Sequence, residues 1–381
     1  MRRALVVTVV HHPSDARISH REIAALLDAG WHVTYAAPFS AHGVAVPAGT
    51  EQFLAIDLPR ASSRRRLDAF RAVRRLLRTR GRQHDIVLLH DPELLLALPG
   101  LVLPPVVWDV HEDTPSAMTL KPWLPVVLRA PAAAAIGLLE RIAVRRVHLL
   151  LAEDSYRDRF GQAVLVVPNT VRVPDQVSPP GNDLVVYLGH VTLARGAAEL
   201  VSVGRQLSDG QDVVARLLVI GDADEAASRL LRPAVQAGYL DWSGFLPNDE
   251  ALGMLSGALA GLSLLHDEPN YRASMPTKVV EYMAYGVPVI TTPLPLARDL
   301  VRRAGCGVVV PFGDPESVVR EIYRLRDDPV ERTGMGSAGH LVASAEFDWR
   351  HIASRFVGEM ERIAGLGEAS APDRADSSGV K

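Results

Sequence analysis

The chain has 381 residues, a formal net charge of −3, 22% charged and 48% hydrophobic residues, and one cysteine. That length predicts two or three domains with sizeable cores, and the charge balance argues against disorder and bulk nucleic-acid binding. The lone Cys306 excludes an internal disulfide and a cysteine metal cluster, and its Gly-Cys-Gly setting reads as a tight turn.

In chain order, Leu5–Val10 reads as a first strand, too short for an export signal and broken at once by His11 and His12. His20–Ala29 follows as a helix and Gly30–Ala37 as a turn into a second strand. Between Arg60 and Arg82 stand ten arginines and one acid, with Leu67, Phe70, Val73, Leu76 and Leu77 at helical intervals. A helix of that kind either packs its apolar stripe on its own sheet or lies on anionic lipid. The second reading is slightly preferred, and no base-reading motif suggests nucleic acid. Ile86–Leu89, Val106–Val110, Leu149–Ala152 and Val164–Val167 continue the strand series. The apolar run Leu94–Trp108 holds three prolines and is shorter than the ~20 residues of a spanning helix. A cytoplasmic location is the resulting expectation, peripheral at the inner membrane face if the basic helix touches lipid.

Residues 174–183, rich in Pro, Gly and Asp, break every pattern and read as a linker. The alternation restarts with Leu184–Leu188, Ala215–Ile220, Gly261–Leu265 and Val287–Thr291. The expected organisation is therefore α/β with parallel sheets. It comprises a first domain over 1–173, the linker, a second domain over 184–346, a last helix over 347–363 and a disordered tail over 364–381. Two such halves predict a cleft beyond the carboxyl ends of their strands.

Asn270–Pro293 carries the clearest chemistry. Pro276 suits the first turn of a helix and Ser274 a cap, while Val279, Val280, Met283 and Ala284 define an inward face ended by Gly286. Free amides at Thr277 and Lys278 and the Lys278 ammonium suit a phosphate, and Glu281 suits the paired hydroxyls of a sugar. This Pro-Thr-Lys-x-x-Glu-Tyr-Met-Ala-x-Gly-x-Pro-Val segment resembles the donor-site motif of retaining glycosyltransferases of family 4, which have the GT-B fold. The likeness is greatest to a bacterial polysaccharide-related subgroup. Many members carry two glutamates eight positions apart; here the second is Glu281, but counting back reaches Ala273. Asn270, Tyr271 or Ser274 would have to replace the missing one.

The resemblance runs from about residue 4 to 360 and implies two Rossmann-like domains facing across a cleft, with the last helix crossing back to the first. In His11-His-Pro-Ser-Asp-Ala-Arg-Ile18 the family's glycine pair is absent. Ser14 and Arg17 would then reach the donor diphosphate by side chain, or Asp15 and Arg17 simply fix the loop. In Val106-Val-Trp-Asp-Val-His-Glu-Asp113, His111 occupies the position of a histidine beside the reacting sugar. Asp91, Glu112 and Asp113 could contact the acceptor; Asp109, Glu112 and Asp113 could equally orient His111 or hold the loop. A metal site there is the weaker reading, since no second histidine has suitable spacing. In Tyr187-Leu-Gly-His-Val-Thr-Leu-Ala-Arg-Gly196, Arg195 stands for a diphosphate-gripping lysine and His190 for an arginine. Phe245 and Leu246 fit the segment that frames the base.

The implied activity is transfer of a sugar from a nucleoside diphosphate-sugar to a hydroxyl of a polysaccharide, lipid-linked or small-molecule acceptor. No cofactor or metal is expected. The alternative is a non-catalytic sugar-nucleotide-binding or partner protein, in keeping with the departures at Ala273, His190 and the first loop.

Overall fold

The computed structural model describes residues 1–62, 65–110, 126–161, 163–208 and 215–366. Two wholly parallel sheets organise the chain. The first contains β1 (Arg3–Val7), β2 (His32–Ala37), β3 (Phe53–Asp57), β4 (Ile86–Leu89), β5 (Val106–Val110), β6 (His148–Leu151) and β7 (Leu165–Val166), in the order β3-β2-β1-β4-β5-β6-β7. The second contains β8 (Leu184–Leu188), β9 (Arg216–Ile220), β10 (Asp241–Gly244), β11 (Ala260–Ser263), β12 (Val289–Thr291) and β13 (Gly307–Val309), in the order β10-β9-β8-β11-β12-β13.

Parallel strands are linked by crossovers that cover both faces of a sheet, so their sequences are apolar throughout rather than alternating. Val106–Val110 is buried at every position, and so is Ile86–Leu89. Each sheet accordingly has a core on each face. On the first sheet, Leu5, Val7, Val87 and Trp108 meet Ala69, Val73 and Leu77 of the arginine-rich helix Arg66–Arg80. On the other face, Ala4, Val6, Trp31 and Leu88 meet Trp349, Phe356 and Met360 of the final helix Trp349–Ile363. That helix follows the second sheet in sequence yet packs on the first. Asp348 caps it, accepting from the Arg350 amide at 2.9 Å, and the Trp349 amide donates to the Val171 carbonyl at 2.9 Å.

The central strands read from sequence coincide with β4, β5 and β8. Sequence analysis misses β3, β10 and β13. All three lie at sheet edges and bury their residues only in part; β10 has no apolar run, whereas β3 carries the apolar run 53–56 that the sequence reading leaves out. Gly305 takes a left-handed conformation at a helix end, which gives the turn before Cys306, and the thiol is buried with its pKa pushed up to about 12. The basic helix spends most of its apolar stripe on the core; Leu67 alone among those five leucines, valines and phenylalanine is fully exposed.

One helix in the second domain, Thr277–Ala284, buries Lys278 and every residue after it. Pro276 is its cap rather than its first residue, and no side chain caps it. The Ser274 hydroxyl donates instead to the Asn270 carbonyl at 3.2 Å, which corrects the capping role expected for Ser274. Tyr282 fixes the helix to the sheet. Its hydroxyl accepts from the Leu188 amide at 2.8 Å and donates to the Leu262 carbonyl at 3.0 Å, joining β8 to β11. The ring lies so close to β11 that a Cβ on Gly261 would sit 2.4 Å from it. Gly261→Ala should therefore destabilise the fold by about 1–3 kcal/mol, seen as a lower thermal unfolding midpoint. An unchanged midpoint would mean that the Tyr282 ring can move aside and does not fix the helix.

Candidate active site

The carboxyl ends of the two sheets face one another across a cleft of about 490 Å³. On the second-domain side, β8 runs into a loop at Gly189 that must come very close to the turn after β9. A Cβ on Gly221 would lie 2.2 Å from the Gly189 carbonyl oxygen, and both glycines have positive φ. This closeness leaves the mouth of the loop open to the start of helix Thr277–Ala284. The Val279 amide donates to the Pro276 carbonyl at 2.9 Å, while the Thr277 and Lys278 amides have no acceptor among the described residues and no side-chain cap, which suits them to an anion.

Lys278 stands at that helix start and is only 7% exposed. Its Nζ lies 3.5 Å from the centroid of the Tyr187 ring and makes no hydrogen bond among the described residues. Burial drives its pKa well below the usual lysine value, nearby Arg195 lowers it further, and Glu281 partly restores it. Arg195 sits on the turn Leu193–Arg195, whose first amide contact is made by Thr192, and its guanidinium stands 6.0 Å from the Tyr271 ring centroid. Two cations thus approach one another in a cleft, an arrangement that an anion between them would relieve.

Glu281, one turn along the helix, lines the same cleft and is 8% exposed. Burial pushes its carboxyl pKa up; Arg21 and then Lys278 pull it back. Arg21 belongs to the first domain, is 5% exposed, and lines the cleft opposite Glu281. Sequence analysis passed over it. It lies four residues after Arg17 in the helical run Ala16–Ile23, so both arginines share one face and line the cleft, and only packing reveals that Arg17 is tied to Asp109 while Arg21 faces Glu281.

Arg17 itself is committed elsewhere. Its Nε and Nη2 each donate to Asp109 at 2.7 Å, and Nη1 donates to the Val167 carbonyl at 2.6 Å and to Asn169 Oδ1 at 3.3 Å. It borders the cleft, where its expected diphosphate role would lie, while these bonds fix the end of β5. Asp15 accepts from the Arg17 and Ile18 amides and starts the helix. Glu22 lies 3.2 Å from Arg17 Nε, and His90 bridges from Asp109 to Glu22 at 3.4 and 3.5 Å. Burial, with Asp109 next to it, raises the Glu22 pKa well above the carboxylate range despite Arg17. Glu22, His90 and Asp109 offer the donor set of a cation site, but the Arg17 guanidinium already supplies the compensating charge.

The remaining expected residues divide. Thr277 and Ser274 line the cleft; Ser14, His190, Phe245 and Leu246 do not. His190 is exposed, with its pKa lowered by partial burial and by Arg195, and it contributes its carbonyl to Arg195 and Tyr187. It thus stands beside Arg195 but outside the cleft lining. Phe245 rests on the His12 ring of the first domain, 4.6 Å between centroids, and Leu246 packs on the second-domain core. Asp91 is 1% exposed and accepts from the Thr8 hydroxyl and the Val9 amide, which holds the loop after β1 and corrects the acceptor role. His111, Glu112 and Asp113 lie outside the described residues, directly after β5.

Residues 172–341 match the family described as glycosyl transferases group 1. The chain is 27% identical over 299 residues to a phosphatidyl-myo-inositol mannosyltransferase of Mycobacterium leprae, covering 74% of this chain and 75% of that protein. A shorter stretch of 78 residues is 35% identical to a GDP-mannose-dependent monoacylated alpha-(1-6)-phosphatidylinositol monomannoside mannosyltransferase of Corynebacterium glutamicum, 20% of each chain. Among solved structures, sucrose-phosphate synthase from Thermosynechococcus elongatus superposes with a TM-score of 0.72 at 17% identity, covering 96% of this chain and all of that one (100%). Anabaena HepE in complex with UDP-glucose superposes at 0.68 with 13% identity, covering 95% and 100%. With parallel sheets facing across a cleft that gathers Lys278, Arg195 and Glu281, the chain has the GT-B fold, and its residues 172–341 are similar to the glycosyl transferases group 1 family.

Proposed function

We propose that the enzyme transfers a hexose from a nucleoside diphosphate-sugar to a hydroxyl of a lipid-linked or saccharide acceptor, with retention at the anomeric carbon. The observation that carries this reading is the buried Lys278 side chain, which lines one cleft with Arg195 and with the uncapped helix start at Thr277 and Lys278. A departing diphosphate gains negative charge as the sugar–phosphate bond breaks, and preformed cations and amides stabilise that charge most where water is excluded. Glu281 would accept from the ribose hydroxyls. His111 would contact the sugar near its anomeric carbon, as the resemblance implies. In the step itself, the acceptor oxygen bonds to the anomeric carbon while the bond to the diphosphate breaks. The bonding pair goes to the diphosphate oxygen, and the acceptor proton passes to that oxygen on the same face. Relatives named as transferases and the family match support a catalyst over a non-catalytic sugar-nucleotide-binding protein.

Two kinetic outcomes follow. Glu281→Ala should chiefly raise the donor KM, and His111→Ala should chiefly lower kcat, measured against a panel that includes UDP-glucose and GDP-mannose. Near-native kinetics for both variants would contradict the assignment.

Lys278 makes diphosphate binding proton-linked. Its pKa is depressed in the free cleft, and an adjacent anion favours the charged form, so binding takes up protons and tightens as pH falls. Calorimetry with UDP or GDP at pH 8, in buffers of different ionisation heat, should show net uptake. A phosphate with a second pKa of about 6 is already ionised there. Lys278→Ala should abolish the uptake and weaken binding by about 10- to 100-fold. Uptake that persists in the variant would place the titration elsewhere.

We also infer peripheral contact with anionic lipid. Because Ala69, Val73, Leu76 and Leu77 are spent on the core, the contact would be electrostatic, made by exposed Arg65, Arg66, Arg71, Arg75, Arg78, Arg80 and Arg82. Each such cation adds about 1 kcal/mol near an anionic surface. No helix among the described residues is long and apolar enough to cross a membrane. The protein should pellet with phosphatidylserine-containing vesicles in a salt-sensitive manner and not with neutral ones; no pelleting at low salt would contradict this.

A further inference from the structure

Where many relatives have their first glutamate, this chain has Ala273, which offers no carboxylate. A carboxylate nevertheless reaches the same segment from the opposite domain. Glu153 follows β6 directly, at the carboxyl end of the first sheet, and lines the cleft beside Lys278 and Glu281. Its turn is held against the donor loop at two points. The Ser155 hydroxyl donates to the Ala273 carbonyl at 3.1 Å, and the Met275 amide donates to Glu153 Oε1 at 3.4 Å. Oε2 makes no hydrogen bond among the described residues.

We propose that Glu153 supplies from the first domain the carboxylate that Ala273 lacks, and that it binds a hydroxyl of the donor sugar. The inference rests on the donor-site reading above. It makes the sugar's subsite a joint product of both domains, completed only when the turn after β6 meets the donor loop. The surroundings favour a group that is neither fixed as an anion nor locked as an acid. Arg17 draws the carboxyl towards ionisation from behind, Asp154 and Arg157 flank it on its own segment, and Arg21, Arg195, Lys278 and Glu281 line the facing walls. Burial outweighs the Met275 amide and Arg17 and pushes its pKa up to about 7. Ionised above that value, the carboxylate accepts from sugar hydroxyls more strongly than the acid does.

The test compares a nucleoside diphosphate with its sugar form, so that the sugar's share of the affinity is isolated. The pair is the most tightly bound member of a panel of UDP- and GDP-sugars and its matching diphosphate, measured with the full chain. Glu153→Gln keeps an acceptor for the Met275 amide but cannot ionise; Glu153→Ala removes both functions. In Glu153→Gln, affinity for the diphosphate should stay within about twofold while affinity for the sugar nucleotide falls by about tenfold, the usual worth of one charge-assisted hydrogen bond. The ratio of the two affinities should rise with pH through about 7 in the native chain and be flat in the variant. Equal weakening of both ligands would show that Glu153 only positions the domains, and no change in either would show that it does not touch the sugar; both overturn the proposal. Failure of the native chain to bind any diphosphate would instead overturn the donor-site reading, and this inference with it.

Discussion

Burying an ammonium without a hydrogen-bond partner costs several kcal/mol, and the second domain imposes that cost at Lys278. The face of Tyr187 offsets part of it, since a cation over a desolvated ring gains about 2 kcal/mol or more. Among the described residues nothing offsets the rest, because Glu281 is itself held back from ionising by burial and Arg195 adds repulsion. The cleft is therefore electrostatically incomplete, and an anion of two charges or more completes it. That condition dictates how the helix Thr277–Ala284 is built. The helix must be held rigidly, which Tyr282 achieves by bonding to β8 and β11, and its first turn must remain uncapped, which follows from Pro276 at the cap and Ser274 turned away.

The first domain answers with a wall whose own charges are largely settled. Arg17, Asp109, Glu22 and His90 form a buried set in which one guanidinium faces two carboxyls, and burial beside Asp109 raises the Glu22 pKa. Through Val167 and Asn169 the same arginine ties the end of β5 to the chain just after β7. The segment beginning at residue 111 thus leaves from a strand end that is fixed from below. Two residues of this domain escape that settlement, Arg21 opposite Glu281 and Glu153 against the donor loop. Both bring first-domain charge to the cleft against residues of the second domain.

Much of the architecture was legible in the sequence because inner parallel strands are apolar on both faces. Ile86–Leu89 and Leu184–Leu188 could be bounded to the residue, whereas the edge strand Asp241–Gly244 has no such run, and the run 53–56 of the other edge strand, Phe53–Asp57, is only partly buried. The donor helix was legible for a different reason, since Thr277, Lys278 and Glu281 combine a helix start, a cation and a carboxylate within two turns. Side-chain fate was harder. Arg17 and Arg21 are equivalent in spacing, yet one is bound to Asp109 and the other faces Glu281. Asp91 follows a strand as a binding residue would, but its partners Thr8 and Val9 come from the loop after the neighbouring strand β1, a contact that only the sheet order creates. Glu153 carries no motif at all; its meaning comes from Ala273 and Met275, more than a hundred residues away in sequence.

The central claim is that Lys278 and the helix start beside it hold the diphosphate of a sugar nucleotide. A crystal structure of the full chain soaked with the best-binding UDP- or GDP-sugar tests this directly. The account predicts terminal phosphate oxygens at roughly 2.7–3.2 Å from Lys278 Nζ and from the Thr277 and Lys278 amides, with Arg195 on the opposite side of the phosphate. A diphosphate bound elsewhere, with Lys278 still stacked on Tyr187 and the helix start unliganded, would contradict it.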